Sequence, residues 1–193
     1  MSDSGSDGPS EAVVVDFMPN GRPNADRPRF RRAPVAYALG VSDFRLFELR
    51  FGEDADPDVR AGDRIAVSPP AETIEEMNDV DYDDLSSTAR SELEYAVAEL
   101  IEAEEERFVD FYNDAQPITL RLHQLNLLPG IGKKLRNNVL DARKRKPFES
   151  FDDIESRVSG LHNPREKLAE RILEELREED LKYRIFARRE GAD

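Results

Sequence analysis

The chain has 193 residues, enough for one large domain or two small ones, with no cysteine, no tryptophan and only 8% aromatic residues. The missing thiols exclude disulfides, thiolate zinc sites, iron–sulfur clusters and a cysteine nucleophile, and two histidines, His123 and His162, give poor support to an imidazole metal site or a Ser-His-Asp triad. A formal charge of -14 argues at first against a polyanionic partner, and no run approaches the ~18 apolar residues that a membrane span needs.

Residues 1–10 are rich in Ser, Gly and Asp and lack the basic and apolar regions of a signal peptide, so they read as a disordered tail on a cytoplasmic, non-membrane protein. Residues 11–85 read as strands. Ala12 to Phe17 is β-branched and ends at a Pro-Asn-Gly turn. Pro34 to Val41 and Phe44 to Phe51 follow, then Ala61 to Val67 after a turn, and a fifth strand is expected between Thr73 and Tyr82. Short strands with a long first connection suggest a small OB-like β-barrel. That connection carries Arg22, Arg27, Arg29, Arg31 and Arg32 against the single acid Asp26, and Arg29, Phe30, Arg31 and Arg32 are candidates for nucleic-acid contact.

Residues 86–115 are expected to form one long linking helix capped by Ser86 or Ser87, with Leu93, Val97, Leu100, Ile101, Phe108, Phe111 and Tyr112 at helical spacing. Its outer face holds Glu102, Glu104, Glu105, Glu106 and Asp110 and reads as solvated. From Glu53 to Asp110 there are twenty acidic residues against four basic ones; from Gln116 to Phe148 there are eight basic residues against one acid, Asp141. A basic island kept within an acidic chain is informative, because the local field attracts phosphate.

Residues 116–178 are expected to be helical and internally repeated. Pro117 suits a helix start, and Ile118, Leu122 and Leu125 form a stripe before the turn Leu128 to Gly132. A second helix carries Leu135, Val139 and Leu140. Thirty residues on, Ser150 caps a helix with Ile154 and Val158, a second turn contains Gly160 and His162, and Asn163-Pro164-Arg165-Glu166 opens the last helix. Residues 179–193 hold Lys182 to Phe186, expected as a closing strand, and a tail.

The string Pro129-Gly130-Ile131-Gly132-Lys133-Lys134 carries the functional reading. Glycine accepts positive φ at little cost and leaves room for another backbone. Turning straight into a helix leaves its first N–H groups unpaired, at the positive end of the helix dipole, which makes an anion site. Lys133, Lys134, Arg136, Arg143 and Lys144 add charge, while Leu128 and Ile131 are expected to point inward. None of these groups reads a base edge, so the grip should not depend on sequence.

Leu128 to Lys134 resembles the helix-hairpin-helix motif of DNA- and RNA-binding proteins, and residues 116–178 resemble its tandem form. Together with Pro117 to His123, Pro147 to Ile154 and Lys182 to Phe186, they resemble the archaeal family called domain of unknown function 655. The resemblance spans residues 11–187 and implies an OB-like barrel joined to a tandem domain, in proteins regarded as RNA-binding. It also implies that the carbonyls of Leu128 and Ile131 could hold a monovalent cation. The acidic composition, with Arg well above Lys, resembles proteins of salt-loving archaea.

The expected fold is therefore α+β: an OB-like barrel, a long helix and an all-α tandem helix-hairpin-helix domain. The expected function is non-enzymatic nucleic-acid binding without a cofactor, with RNA preferred and DNA as the other ligand. Two further classes stand beside it. A DNA repair or processing factor would use Asp152, twenty residues after Gly132. An assembly scaffold would bind protein through the acidic helix.

Overall fold

The structure, a computed structural model, describes residues 10–23 and 32–188. Within these lie five strands and five α-helices in two units. The first unit is described over residues 10–23, 32–96 and 186–188, the second over 97–185.

The first unit is an antiparallel sheet in the order β4-β1-β2-β3-β5, with β1 Ser10–Met18, β2 Val35–Gly40, β3 Leu46–Phe51, β4 Arg64–Ser68 and β5 Ile74–Asp79. Ala12, Val14, Ala36, Ala38, Phe47, Leu49, Phe51, Ile65 and Val67 form one buried face, with Phe17 packed against it. A bulge between Val14 and Asp16 shifts the phase of β1 by one residue. Val14 therefore pairs with Ala38 and Phe17 with Ala36, so both stay on that face despite an odd spacing. Val13, Tyr37, Leu39 and Leu46 are buried on the other face.

The sheet is curled but open, a half-barrel, which corrects the expected OB-like barrel. Among the described strands β4 ladders with β1 alone and β5 with β3 alone. Two features of the sequence leave the seam unpaired. β4 runs into Pro69 and Pro70, which have no N–H to give a ladder. β5 reads Ile-Glu-Glu-Met-Asn-Asp, is exposed over almost its whole length, and has no apolar face to bury against a partner. Its charges pair back onto β3, Arg45 with Asp79 and Arg50 with Glu76.

The expected helix over 86–115 is two helices, α1 Ser87–Ala103 and α2 Glu105–Asp114, with a kink at Glu104. The kink falls in the run Glu102 to Glu106, where like charges four residues apart disfavour an uninterrupted helix. The boundary between the two units lies inside α1, after Ala96. Ser86 caps α1: its hydroxyl accepts the Ala89 N–H at 3.0 Å and donates to Asp16 Oδ2 of β1 at 2.5 Å.

The second unit holds α2, α3 Lys133–Arg145, α4 Phe151–Arg157 and α5 Pro164–Arg177 around Ile101, Phe108, Tyr112, Leu125, Leu128, Ile154 and Leu161. The tandem helix-hairpin-helix arrangement is corrected as well, because residues 116–127 contain no α-helix. Pro117 and His123 form an isolated bridge, and only a short 3-10 turn, Gln124–Leu127, precedes the glycines. Local side chains took the amides a helix would need. Thr119 Oγ1 accepts from Arg121 and Leu122, and His123 Nδ1 accepts from Leu125. The expected cap at Asn163 also differs: this residue is left-handed, with φ 51°, and its side chain makes no cap hydrogen bond.

No strand forms among the described residues of the C-terminal segment, against the expectation for Lys182 to Phe186. Side chains hold it instead. Ile185 N–H donates to Glu175 Oε1 at 2.9 Å, and Arg171, paired with Glu175, donates to the Tyr183 carbonyl. Buried Glu175 needs these donors more than the segment needs a ladder.

Candidate nucleic-acid interface

The turn Leu128–Ile131 is built from an i to i+3 hydrogen bond, Ile131 N–H to the Leu128 carbonyl at 3.2 Å, with Gly130 at φ +75°. A left-handed residue with a side chain would be strained there. Leu128 and Ile131 are buried and anchor the turn, while Gly130, Gly132, Lys133 and Lys134 are exposed. Gly132 is the N-cap of α3 and carries no side chain to cap it. The first intrahelical bond is Arg136 N–H to the Gly132 carbonyl at 2.9 Å. The amides of Lys133, Lys134 and Leu135 thus have no acceptor among the described residues. A Cβ added at Gly132 would meet nothing within 4 Å, so another molecule's atoms could come close to these donors.

The second turn repeats this geometry thirty residues on. Leu161 N–H donates to the Val158 carbonyl at 3.2 Å, Gly160 has φ +86°, and Val158 and Leu161 are buried. It differs at the rim, since a Cβ on Gly160 would lie 3.1 Å from Leu135. His162 there is exposed and 3.9 Å from Glu155.

The other predicted cations divide into free and committed groups. Lys133, Lys134 and Lys144 are exposed. Arg143 is committed: half-buried, it donates to the Tyr112 carbonyl at 3.1 Å, and burial pulls its pKa below the usual arginine value. Arg136 donates to Asn126 Oδ1 at 3.2 Å. Both help to hold the scaffold of the turn through these bonds. Arg32, in the first unit, donates to the carbonyls of Arg22 and Pro23 and lines a groove of about 820 Å³ with Arg22, Arg50, Glu48 and Glu75. Since Arg22 pairs with Glu48, this is a mixed surface and not a bare basic patch. Arg29 and Arg31 lie outside the described residues, with Arg27 and Phe30.

The expected cation at Leu128 and Ile131 meets competition. The Leu128 carbonyl accepts the Ile131 amide, and the Ile131 carbonyl accepts Asn126 Nδ2 at 3.1 Å. Between them the Pro129 carbonyl accepts the Lys167 ammonium at 3.0 Å, so a cation of the chain itself already sits on the turn. Asp152 is exposed in the first turn of α4, where Ser150 Oγ accepts the Asp153 amide as a cap. Among the described residues no three His, Asp or Glu side chains gather as a metal site.

Sequence reasoning missed Lys167, Asn126 and the cap made by His123. Asn126 both receives the His123 N–H and donates to Ile131, so it ties the 3-10 turn to the glycine turn. His123 is buried, and its pKa is lowered by that burial and by the charges of Arg143 and Arg136. An Asn between two leucines before a Pro-Gly pair was the available signal for the tie; Lys167 had none, lying 38 residues from its partner.

The family model for "Protein of unknown function (DUF655)" matches residues 9–188. The chain belongs to the DUF655 family. Its relatives are archaeal. The uncharacterized protein MJ0038 of Methanocaldococcus jannaschii is 37% identical over 180 residues, spanning 92% of this chain and 79% of that protein. The crystal structure of Af1531 from Archaeoglobus fulgidus, a DUF655 protein, superposes with a TM-score of 0.82 at 36% identity, covering 93% of this chain and 99% of that one. A 60-residue stretch is 33% identical to part of the PolC-type DNA polymerase III of Mycoplasma pneumoniae, and spans 4% of that polymerase. Among the described residues no helix is long and apolar enough to cross a membrane.

Proposed function

We propose that this DUF655 protein binds nucleic acid without acting on it chemically, with RNA preferred over DNA, and that it grips the phosphate backbone at Gly132, Lys133 and Lys134. The observation that carries the reading is the uncapped, exposed start of α3 beside two free lysines. Ser, Asp or Asn at the N-cap would bond one of the first amides of α3 with its own side chain and is favoured over glycine by roughly a few tenths of a kcal/mol. A glycine there keeps the amides available to an outside anion. The short match to a DNA polymerase supports the same ligand class.

The acidic composition fits a protein working in concentrated salt, where Coulombic attraction weakens through counterion release. Directed amide hydrogen bonds then outweigh lysine charge. The test is Gly132→Asp against Lys133→Ala in a salt-matched titration with single-stranded and duplex RNA and DNA. The aspartate caps α3 and occupies the anion site, so thermal stability should rise or hold while affinity drops tenfold or more. Lys133→Ala should cost less. Equal losses, or binding untouched by Gly132→Asp, would overturn the reading.

A further inference from the structure

Residues 116–124 form a loop that closes on itself. Gln124 N–H donates to the Gln116 carbonyl at 2.9 Å, and Gln116 N–H donates to Gln124 Oε1 at 2.8 Å. Inside it the amides of Ile118 and Thr119 both donate to the Leu122 carbonyl, at 2.8 and 3.0 Å. Thr119 Oγ1 accepts the amides of Arg121 and Leu122, at 3.2 and 3.0 Å. The tip is thus held by its own hydrogen bonds. The side chain it carries is Leu120, whose relative exposure of 106% exceeds that of any other large apolar residue described. Arg121 beside it is exposed, and its guanidinium has no partner among the described residues.

A lone exposed leucine needs no explanation on a pliable surface. This one is different because the loop cannot fold it away without breaking the hydrogen bonds that shape the tip. The charge of its own stretch of chain says what it would meet. It lies in the segment from Gln116 to Phe148 with eight basic residues and one acid, the part of the chain that suits a polyanion and not an apolar groove on a protein. Nucleic-acid-binding proteins insert apolar side chains, leucine among them, between base steps while cations hold the flanking phosphates.

We infer that Leu120 is a wedge that enters the base stack of the bound strand, with Arg121 on the adjoining phosphate. This rests on the nucleic-acid reading above and adds to it a preference for single-stranded or weakly paired sites, where unstacking costs least.

The experiment uses the full chain with an RNA of about twelve nucleotides, a length within the range of single-strand sites, carrying 2-aminopurine at successive positions. Anisotropy reads binding and 2-aminopurine emission reads unstacking. The wild type should bind and raise the emission at one or two positions. Leu120→Ala should keep the melting temperature, bind about fivefold more weakly through lost apolar contact and lose the rise; Leu120→Met should keep it. Binding with no change in emission, or an unchanged rise in Leu120→Ala, overturns the wedge and leaves the backbone grip standing. No binding to any probe overturns both. A change in sedimentation on Leu120→Ala would make Leu120 a contact between copies and also overturn the wedge.

Discussion

The Lys167 ammonium of α5 donates to the carbonyl of Pro129 at 3.0 Å, so the last helix of the chain holds the first glycine turn in place. Replacing Lys167 with Met should cost about 1–2 kcal/mol of unfolding free energy, the range for a charged hydrogen bond, read by urea denaturation. A tethered ammonium also makes an external ion unnecessary. Exchanging potassium for tetramethylammonium at constant ionic strength should leave nucleic-acid affinity unchanged, and a large drop would place an ion on the turn after all.

The two glycines of the turn should respond unequally to a methyl group. Gly130 has φ +75°, and a Cβ there would lie 3.0 Å from Lys167 Nζ. Gly130→Ala should lose about 1–2 kcal/mol from backbone strain. Gly132 is extended, with φ -85° and ψ -170°, and open. Gly132→Ala carries no such strain and should cost less, about 0.5–1 kcal/mol, since alanine is a poorer N-cap than glycine. Paired thermal melts would show the difference.

Arg157 closes the end of α3. Its Nη2 donates to the carbonyls of Ala142 at 2.9 Å and Lys146 at 2.6 Å, while Nη1 reaches Asp153 at 2.9 Å. Arg157→Ala removes the side-chain donor from both carbonyls, of which Ala142 still accepts the Lys146 amide, and should destabilise the protein by about 2 kcal/mol. Arg157→Lys should not restore the loss, since an ammonium cannot reproduce the planar fork. Chemical denaturation of the three proteins decides it.

His123 makes stability depend on pH. Burial, then Arg143 and Arg136, lower its pKa in the folded protein from the ordinary 6.5. The unfolded chain therefore binds the proton more readily. The stabilising contribution is complete above pH 6.5 and declines as pH falls below it toward the folded value. Protonating Nδ1 also removes the acceptor for the Leu125 amide. His123→Asn keeps a capping side chain and should flatten the pH dependence below pH 6.5. An unchanged slope would assign it to other groups.

The sequence by itself determined the local periodicities. β-Branched and apolar runs bounded by turn residues placed the first four strands, and Leu128, Gly130 and Ile131 marked a turn whose buried and exposed sides are set within a few residues. Such features follow from each residue's own backbone preferences and hydrophobicity. Tertiary structure decided whatever depended on competition between partners. The sheet stays open because β5, poor in the β-branched and aromatic residues that strands favour, has no apolar face to bury. Residues 116–127 forgo a helix because Thr119 and His123 offer nearer acceptors to the same amides. Lys167 meets Pro129 only once α3 and α4, which separate them in the chain, have folded. Free-energy differences of about 1 kcal/mol settle such contests: at Thr119 and His123 two local patterns compete for the same amides, while Lys167 and Pro129 lie 38 residues apart, which no short window contains.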